Sequence, residues 1–166
     1  LSSNNPYGNS KIICENIISE YCKSNKKFKA VSLRYFNPIG ASVKHDLKEK
    51  PLGIPQNLMP KIIESIIKNK KLKIYGKNYK TYDGTCIRDF IHVLDLAEAH
   101  ISSIKFLNKN KINHEIFNVG LGKGISVLEL IKIFEKINKI KIKYIFSKAR
   151  NGDVPEIYAC NKKIKA

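Results

Sequence analysis

The feature that most narrows the possible folds is an alternation of two kinds of segment. Short runs rich in β-branched and aromatic residues (30–35, 71–75, 87–93, 115–119 and 141–146) take turns with longer runs of helical period. In the longer runs apolar residues recur at Ile12, Ile13, Ile17, Ile18 and Tyr21, at Ile62, Ile63, Ile66 and Ile67, and at Leu128, Ile131, Ile133, Phe134 and Ile137. Parallel strands need a long crossover and a helix supplies one, so the alternation predicts an α/β fold with a mainly parallel sheet. At 166 residues the chain is long enough for one domain with a real core.

Local chemistry marks the boundaries. Asn5 is a good cap and Pro6 a good first helical residue, because the cap side chain accepts an orphan N–H and proline has none to waste. Pro38 and Gly40 are expected to end the first strand, and residues 41–56, polar and proline-containing, read as a long loop. Asn57 stands at the start of the second helix, Asp83-Gly84 marks a turn, and Asp95 with Glu98 three residues later predicts a capped helix reaching to near Asn108. Ser126 with Glu129 repeats that pattern. Gly120-x-Gly122-x-Gly124 lacks the spacing of a dinucleotide loop and is read as a turn, while the chain beyond residues 150–155 gives little signal.

Tyr7 and Lys11 lie one turn apart on one face of the first helix. A phenol ionises near pH ~10, and an ammonium beside it favours the phenolate, so a Tyr/Lys pair can act as a proton shuttle. A surface lysine above a packed tyrosine would give the same pattern.

The net charge of +17 comes from 31 Lys+Arg against 14 Asp+Glu, and only Arg34, Arg88 and Arg150 are arginines. Lysines spread through every segment fill ordinary surface positions, whereas a nucleic-acid surface clusters its charge and uses arginine for bidentate contacts; no nucleic-acid partner is expected. Cys14, Cys22, Cys86 and Cys160 show no C-x-x-C spacing, and His45, His92, His100 and His114 form no metal-binding motif, so no metal is expected. Few, scattered cysteines fit a reducing compartment, and a cytoplasmic location is expected. No apolar run approaches the ~18 residues of a membrane span, and no membrane partner is expected.

Four blocks stand in order: Asn5-Pro6-Tyr7-Gly8-x-Ser10-Lys11, Arg34-Tyr35-Phe36-Asn37-Pro38, Pro55-Gln56-Asn57-Leu58-Met59-Pro60, and Asp83-Gly84-Thr85-Cys86-Ile87-Arg88-Asp89-Phe90-Ile91-His92-Val93. Together they resemble the UDP-glucose 4-epimerases (UDP-galactose 4-epimerases) of the extended short-chain dehydrogenase/reductase class. The resemblance covers essentially the whole chain but only the later half of that family's. It implies a partial NAD-binding Rossmann fold, a doubly wound parallel sheet lacking its first strands, with a smaller α/β substrate-binding lobe. Residues 1–38 and 87–122 would belong to the Rossmann part, and 39–86 and 123–166 to the UDP-sugar lobe. The Gly-rich cofactor loop and the Ser or Thr that assists the tyrosine have no counterpart here, and Ser2 and Ser3 are too close to Tyr7 for that role.

The resemblance also implies roles. Tyr7 would be the catalytic acid–base and Lys11 would hold a ribose of NAD, with Phe36 meeting the nicotinamide end. The substrate residues would be Asn37, Asn57, Leu58, Lys73, Ile74, Tyr75, Arg88, Arg150 and Asp153. A gate over the hexose C2 substituent falls at Ile157, and a slip of one residue would put Tyr158 there. Isoleucine leaves room for an acetamido group, so N-acetylated UDP-sugars join UDP-glucose and UDP-galactose as expected ligands. The chemistry of the residues allows plainer roles: a salt bridge between Arg88 and Asp89, a turn capped by Asn37, Tyr75 as core, and a structural His92. The implied reaction is reversible oxidation at C4 by NAD, in a homodimer built partly from the Tyr/Lys helix; this chain alone would be inactive. The 4,6-dehydratases, decarboxylases and glucuronate epimerases share the Tyr/Lys pair and remain alternatives, as does an inactive basic binding module.

Overall fold

Asn5 and Pro6 start the first helix as their chemistry dictates. The Asn5 side chain accepts from the Gly8 N–H at 2.8 Å, and Pro6 opens α1 (Pro6–Ser24). The computed structural model describes residue 3 and residues 5–42, 44 and 46–165; Ser2 and His45, discussed above, lie outside the described residues. After α1 come β1 (Ala30–Tyr35), β2 (Asn37–Ile39), α2 (Leu58–Ile67), β3 (Leu72–Tyr75), β4 (Ile87–Arg88), β5 (Phe90–His92) and α3 (Val93–Lys109). The chain continues through β6 (His114–Val119), β7 (Ile125–Ser126), α4 (Val127–Asn138), β8 (Tyr144–Ser147), β9 (Glu156–Ile157) and α5 (Lys162–Lys165).

Pairing is mainly parallel, as the alternation predicts. β1 runs beside β6, with Ala30 opposite His114 and Tyr35 opposite Val119, and β2 beside β5, with Asn37 opposite Phe90. β3 pairs with β8 in parallel, while β4 sits between antiparallel β7 and parallel β9. Two apolar cores result. Ile91, Leu96 and Val119 form one, with Leu33, Ala99 and Ile164 packed on it; Ile62, Leu72, Ile74, Ile131 and Ile142 form the other, beneath Leu58, Met59, Val127, Leu128 and Phe134.

Several boundaries differ from those expected. Pro38 does not end the strand: the chain leaves β6 after Tyr35 and pairs with β5 instead, and a proline is tolerated in so short a strand where its missing N–H breaks no ladder. The strand expected over 87–93 divides at Asp89 into β4 and β5, whose partners differ. α3 begins at Val93, capped not by Asp95 but by His92, whose Nδ1 accepts from the Leu94 N–H at 3.2 Å; Asp95 instead lies in the first turn. The last long strand starts at Tyr144 rather than Lys141. Ser126 caps α4 as expected, accepting from the Glu129 N–H at 2.9 Å, but the Glu129 carboxylate receives the Tyr82 hydroxyl instead of closing the capping box.

One ion pair fixes α1 against the sheet. Arg34, late in β1, donates through Nε and Nη2 to the two carboxylate oxygens of Glu15, each at 2.6 Å. This bidentate contact, and secondly the Arg34 charge, hold the Glu15 carboxyl below its ordinary value of 4.5 although burial opposes them. A depressed folded-state pKa gives stability that is complete above about pH 4.5 and is lost as pH falls through the folded value. Thermal melts between pH 7 and pH 3 should show this. Glu15→Gln should cost roughly 1–2 kcal/mol near neutrality and progressively less in acid, so that the two melting curves converge.

Candidate active site

Because α1 runs antiparallel to β1, its position along the sheet can be read from its contacts. Glu15 meets Arg34 near the end of β1, and the Cys22 carbonyl accepts from Asn113 just before β6 begins. At about 1.5 Å per residue, Lys11 lies ~6 Å and Tyr7 ~12 Å further along the axis, toward the carboxyl ends of β1 and β6. Tyr7 is 74% exposed, and the Lys11 Nζ stands 5.0 Å from the centre of its ring. At the same end of the sheet β1 gives way to β2. The Phe36 N–H donates to Val119 O at 3.1 Å, and the next N–H, of Asn37, to Asp89 O at 2.9 Å. One strand thus exchanges β6 for β5 as its neighbour between two consecutive residues. A change of strand partner at the carboxyl ends of parallel strands is where α/β folds open a ligand crevice.

Nine of the candidate substrate residues line one cleft of about 310 Å³: Asn37, Asn57, Leu58, Lys73, Ile74, Tyr75, Arg88, Arg150 and Asp153. Gln56, Lys61, Cys86, Phe90 and Val127 complete its wall. Arg88 and Arg150 converge on the carboxylate of Asp153, with Arg88 Nη2 at 3.7 Å and Arg150 Nε at 3.1 Å. The Arg150 guanidinium also stacks over the Tyr75 ring, 4.9 Å from its centre, and Lys61 Nζ lies 5.6 Å from that centre. Arg88 therefore does not pair with Asp89. The Asp89 carboxylate is fully buried and accepts backbone N–H groups of Leu121, Gly122 and Ala159. Asn57 holds the cap position of α2 without capping it, because its side-chain amide donates to Glu49 Oε1 at 2.8 Å. The first N–H groups of α2 thus lack a side-chain acceptor from Asn57 and suit an anion.

The loop after β3 supports this cleft from behind. Gly84, with φ of 78°, turns the chain so close to the Lys77 carbonyl that a side chain there would collide with it. Burial alone would raise the Asp83 carboxyl, but hydrogen bonds from Ser126 and Thr85 outweigh it and hold the group below the usual range. Burial, and then the neighbouring Cys86 thiol, push the Tyr79 phenol up to about 12. These contacts seat Cys86, Ile87 and Arg88 against the N-terminus of α4, where the Val127 N–H donates to Cys86 O.

Four candidates lie outside the cleft's lining. Tyr7 and Lys11 stand on α1, and Phe36 sits at the exchange of strand partners. Ile157, on β9, is paired with Arg88 in register and is 45% exposed, while the Tyr158 side chain next to it packs near Gly124. Lys61 had a legible signal, one turn beyond Asn57 on the same face of α2. Asp89 and Cys86 had none beyond their place in the Asp83–Phe90 run.

A helix presenting tyrosine and lysine one turn apart, set beside a parallel sheet whose strand changes partner, is the arrangement of a nicotinamide-dependent enzyme of the short-chain dehydrogenase type. The chain belongs to the NAD dependent epimerase/dehydratase family, whose model matches residues 1–120. Within it the similarity is to UDP-glucose 4-epimerases. The enzyme GEPI48 of Cyamopsis tetragonoloba is 43% identical over 98% of this chain and 47% of its own. The Bifidobacterium longum UDP-glucose 4-epimerase, solved with NAD+ and UDP, superposes with a TM-score of 0.92 at 39% identity, over 99% of this chain and 49% of its own. The UDP-Glc/GlcNAc 4-epimerase of Campylobacter jejuni gives 0.72 at 37% identity, over 99% and 50%. The chain thus spans about half the length of the relatives it matches. Among the described residues no helix is long and apolar enough to cross a membrane.

The cleft makes a direct prediction for Arg88. On the expectation that Arg88 grips phosphate, titration calorimetry of the chain with UDP should show Arg88→Ala weakening binding about 10- to 100-fold, the loss of a charge-assisted bidentate contact. Unchanged UDP affinity would remove Arg88 from the phosphate role.

Proposed function

We propose that this chain is the later half of a UDP-glucose 4-epimerase, an NAD-dependent isomerase that interconverts UDP-galactose and UDP-glucose. The observation that supports the reading most is the convergence of Arg88, Arg150, Asp153, Tyr75 and the α2 N-terminus in one cleft. The arginines and helix N–H groups suit a pyrophosphate, Tyr75 with Lys73 and Ile74 frames the uracil, and Asp153 accepts ribose hydroxyls. Asn37 meets the sugar nucleotide where β1 passes into β2.

The residues present fit the nicotinamide-ribose end of NAD. Lys11 is exposed and makes no ion pair among the described residues, which leaves its three N–H donors for ribose hydroxyls, and Phe36 offers backbone at the carboxyl end of the sheet. When bound, NAD supplies the acceptor and donor of hydride at the sugar C4. The Tyr7 phenol oxygen takes the 4-hydroxyl proton while C4 is oxidised, and returns it when the 4-keto sugar is reduced on its other face. Lys11 holds the ribose. The exposed side chains of Ile13, Ile17 and Tyr21 on α1 suit a homodimer contact, and the four free cysteines suit a cytoplasmic location.

Joining this chain behind the first half of one of its relatives tests the reading. The joined enzyme should convert UDP-galactose to UDP-glucose, and this chain alone should not. In the joined enzyme Tyr7→Phe should lower kcat by ~10²–10⁴-fold with little change in UDP-sugar affinity. More than half of wild-type turnover in that variant would remove Tyr7 from the chemistry.

At the sugar end, Ile157 leaves space above C2, so we assign the N-acetylated UDP-sugars as further substrates. Ile157→Tyr in the joined enzyme should abolish turnover of UDP-N-acetylglucosamine and spare UDP-glucose; equal effects on both would show that position 157 is not the gate.

A further inference from the structure

Among the described residues, Asp89 is the one carboxylate that is wholly buried, and its oxygens accept three backbone N–H groups from two separate segments. Oδ1 accepts from the Leu121 N–H at 2.9 Å, and Oδ2 from Gly122 at 2.9 Å and Ala159 at 3.1 Å. Its own carbonyl accepts from the Asn37 N–H at 2.9 Å. No cation of the chain pairs with it among the described residues. A carboxylate buried on backbone N–H groups alone is well satisfied only while all of those segments stay in place. The turn after β6 comes so close that a Cβ on Gly120 would lie 2.5 Å from Asp89 Oδ2 and 2.8 Å from the Ala159 Cβ.

The segment held through Ala159 carries the ligand groups. Residues 150–159 leave the second core and pass β4, where Ile157 pairs with Arg88 and the Ile87 N–H donates to Pro155 O at 2.8 Å. Arg150 and Asp153 stand at the head of this segment. Beyond Ala159 the chain reaches α5, where Ile164 packs on the first core. The two-residue ladder of β4 and β9 is short for holding a binding segment in register, and Asp89 fixes it at its far end.

We propose that Asp89 is the positioning residue of the nucleotide site: its carboxylate fixes residues 150–159 against the strand bearing Arg88, and so sets Arg150 and Asp153 where a nucleoside diphosphate can be gripped. The proposal rests on the nucleotide-site reading only for its affinity readout. An asparagine at 89 keeps the shape but turns an NH₂ toward N–H donors and takes the charge from the bonds that remain, which weakens the hold on both segments while leaving the core filled.

Hydrogen–deuterium exchange and UDP calorimetry on the chain test this. Asp89→Asn should speed exchange in 120–122 and 150–159 and leave 93–109 protected. It should weaken UDP binding roughly 10- to 100-fold at a temperature where circular dichroism shows the variant folded. Gly120→Ala, which keeps every donor and acceptor group but whose Cβ would crowd both Asp89 Oδ2 and Ala159 out of position, should do the same, and it decides the matter if Asp89→Asn does not fold. Leu96→Ala in the first core should lower Tm without changing UDP affinity. Unchanged exchange in 150–159 in a folded variant would overturn the proposal. So would UDP affinity equal to wild type. A wild-type chain that binds no UDP would sink the nucleotide reading, and the exchange measurement would still decide the role of Asp89.

Discussion

Everything near the cleft depends on one exchange of hydrogen-bond partners. Phe36, between β1 and β2, is the last residue to donate to β6, and Asn37 the first to donate beside β5. A single strand cannot stay flush with two neighbours that diverge, so the sheet parts at this step. The parting leaves Asn37 at the wall of a cleft. Asp89 lies on the other bank of the same opening, its carbonyl tied to Asn37 and its side chain to the turn after β6. The crevice is thus made by backbone geometry, and side chains are then placed around it.

Two kinds of force act on the groups around the opening. On the α1 side, the Glu15–Arg34 pair sets how far along β1 the helix sits, and Tyr7 and Lys11 follow from helical rise alone. On the other side the apolar core of Ile62, Leu72, Ile74 and Ile131 holds α2 and β3 beside α4, which brings Asn57, Lys73 and Tyr75 to one wall. Arg88 and Arg150 would repel if brought together bare. The shared Asp153 carboxylate offsets this, and stacking on Tyr75 gives the Arg150 guanidinium a second hold.

The parts that could be read from the sequence are those governed by neighbours a few residues away. Asn5 and Ser126 cap helices because the groups they satisfy lie three residues on, and the periodic isoleucines mark α2 and α4 because burial acts on one face. The parts that escaped are set by distant partners. β2, β7 and β9 have two or three residues each, too few for a period of two to show, and exist only because another strand lies alongside. His92 displaced Asp95 as cap because β5 ends there, and the chain must bend directly into α3. The resemblance of the four blocks brought nine scattered residues to one cleft, but it could not say that Arg88 turns to Asp153 while Asp89 turns inward. That choice depends on residues 120–122 and 159, far away in the chain.

The tie between Arg88 and residues 150–159 also bears on the order in which the molecule can assemble. A chain emerging from the ribosome presents β4, with Arg88 and Asp89, well before β9 has been made. Until then the Asp89 carboxylate lacks one of its N–H partners and Arg88 lacks Asp153. The pairing of β1 with β6 needs the chain only as far as Val119, and can form earlier. The sheet beside α1 and α3 is therefore the earlier unit of folding, and the ligand cleft closes late, when the segment bearing Arg150 folds back across β4. A nascent chain stalled before that segment would hold a formed sheet beside a cleft missing the wall of Arg150 and Asp153.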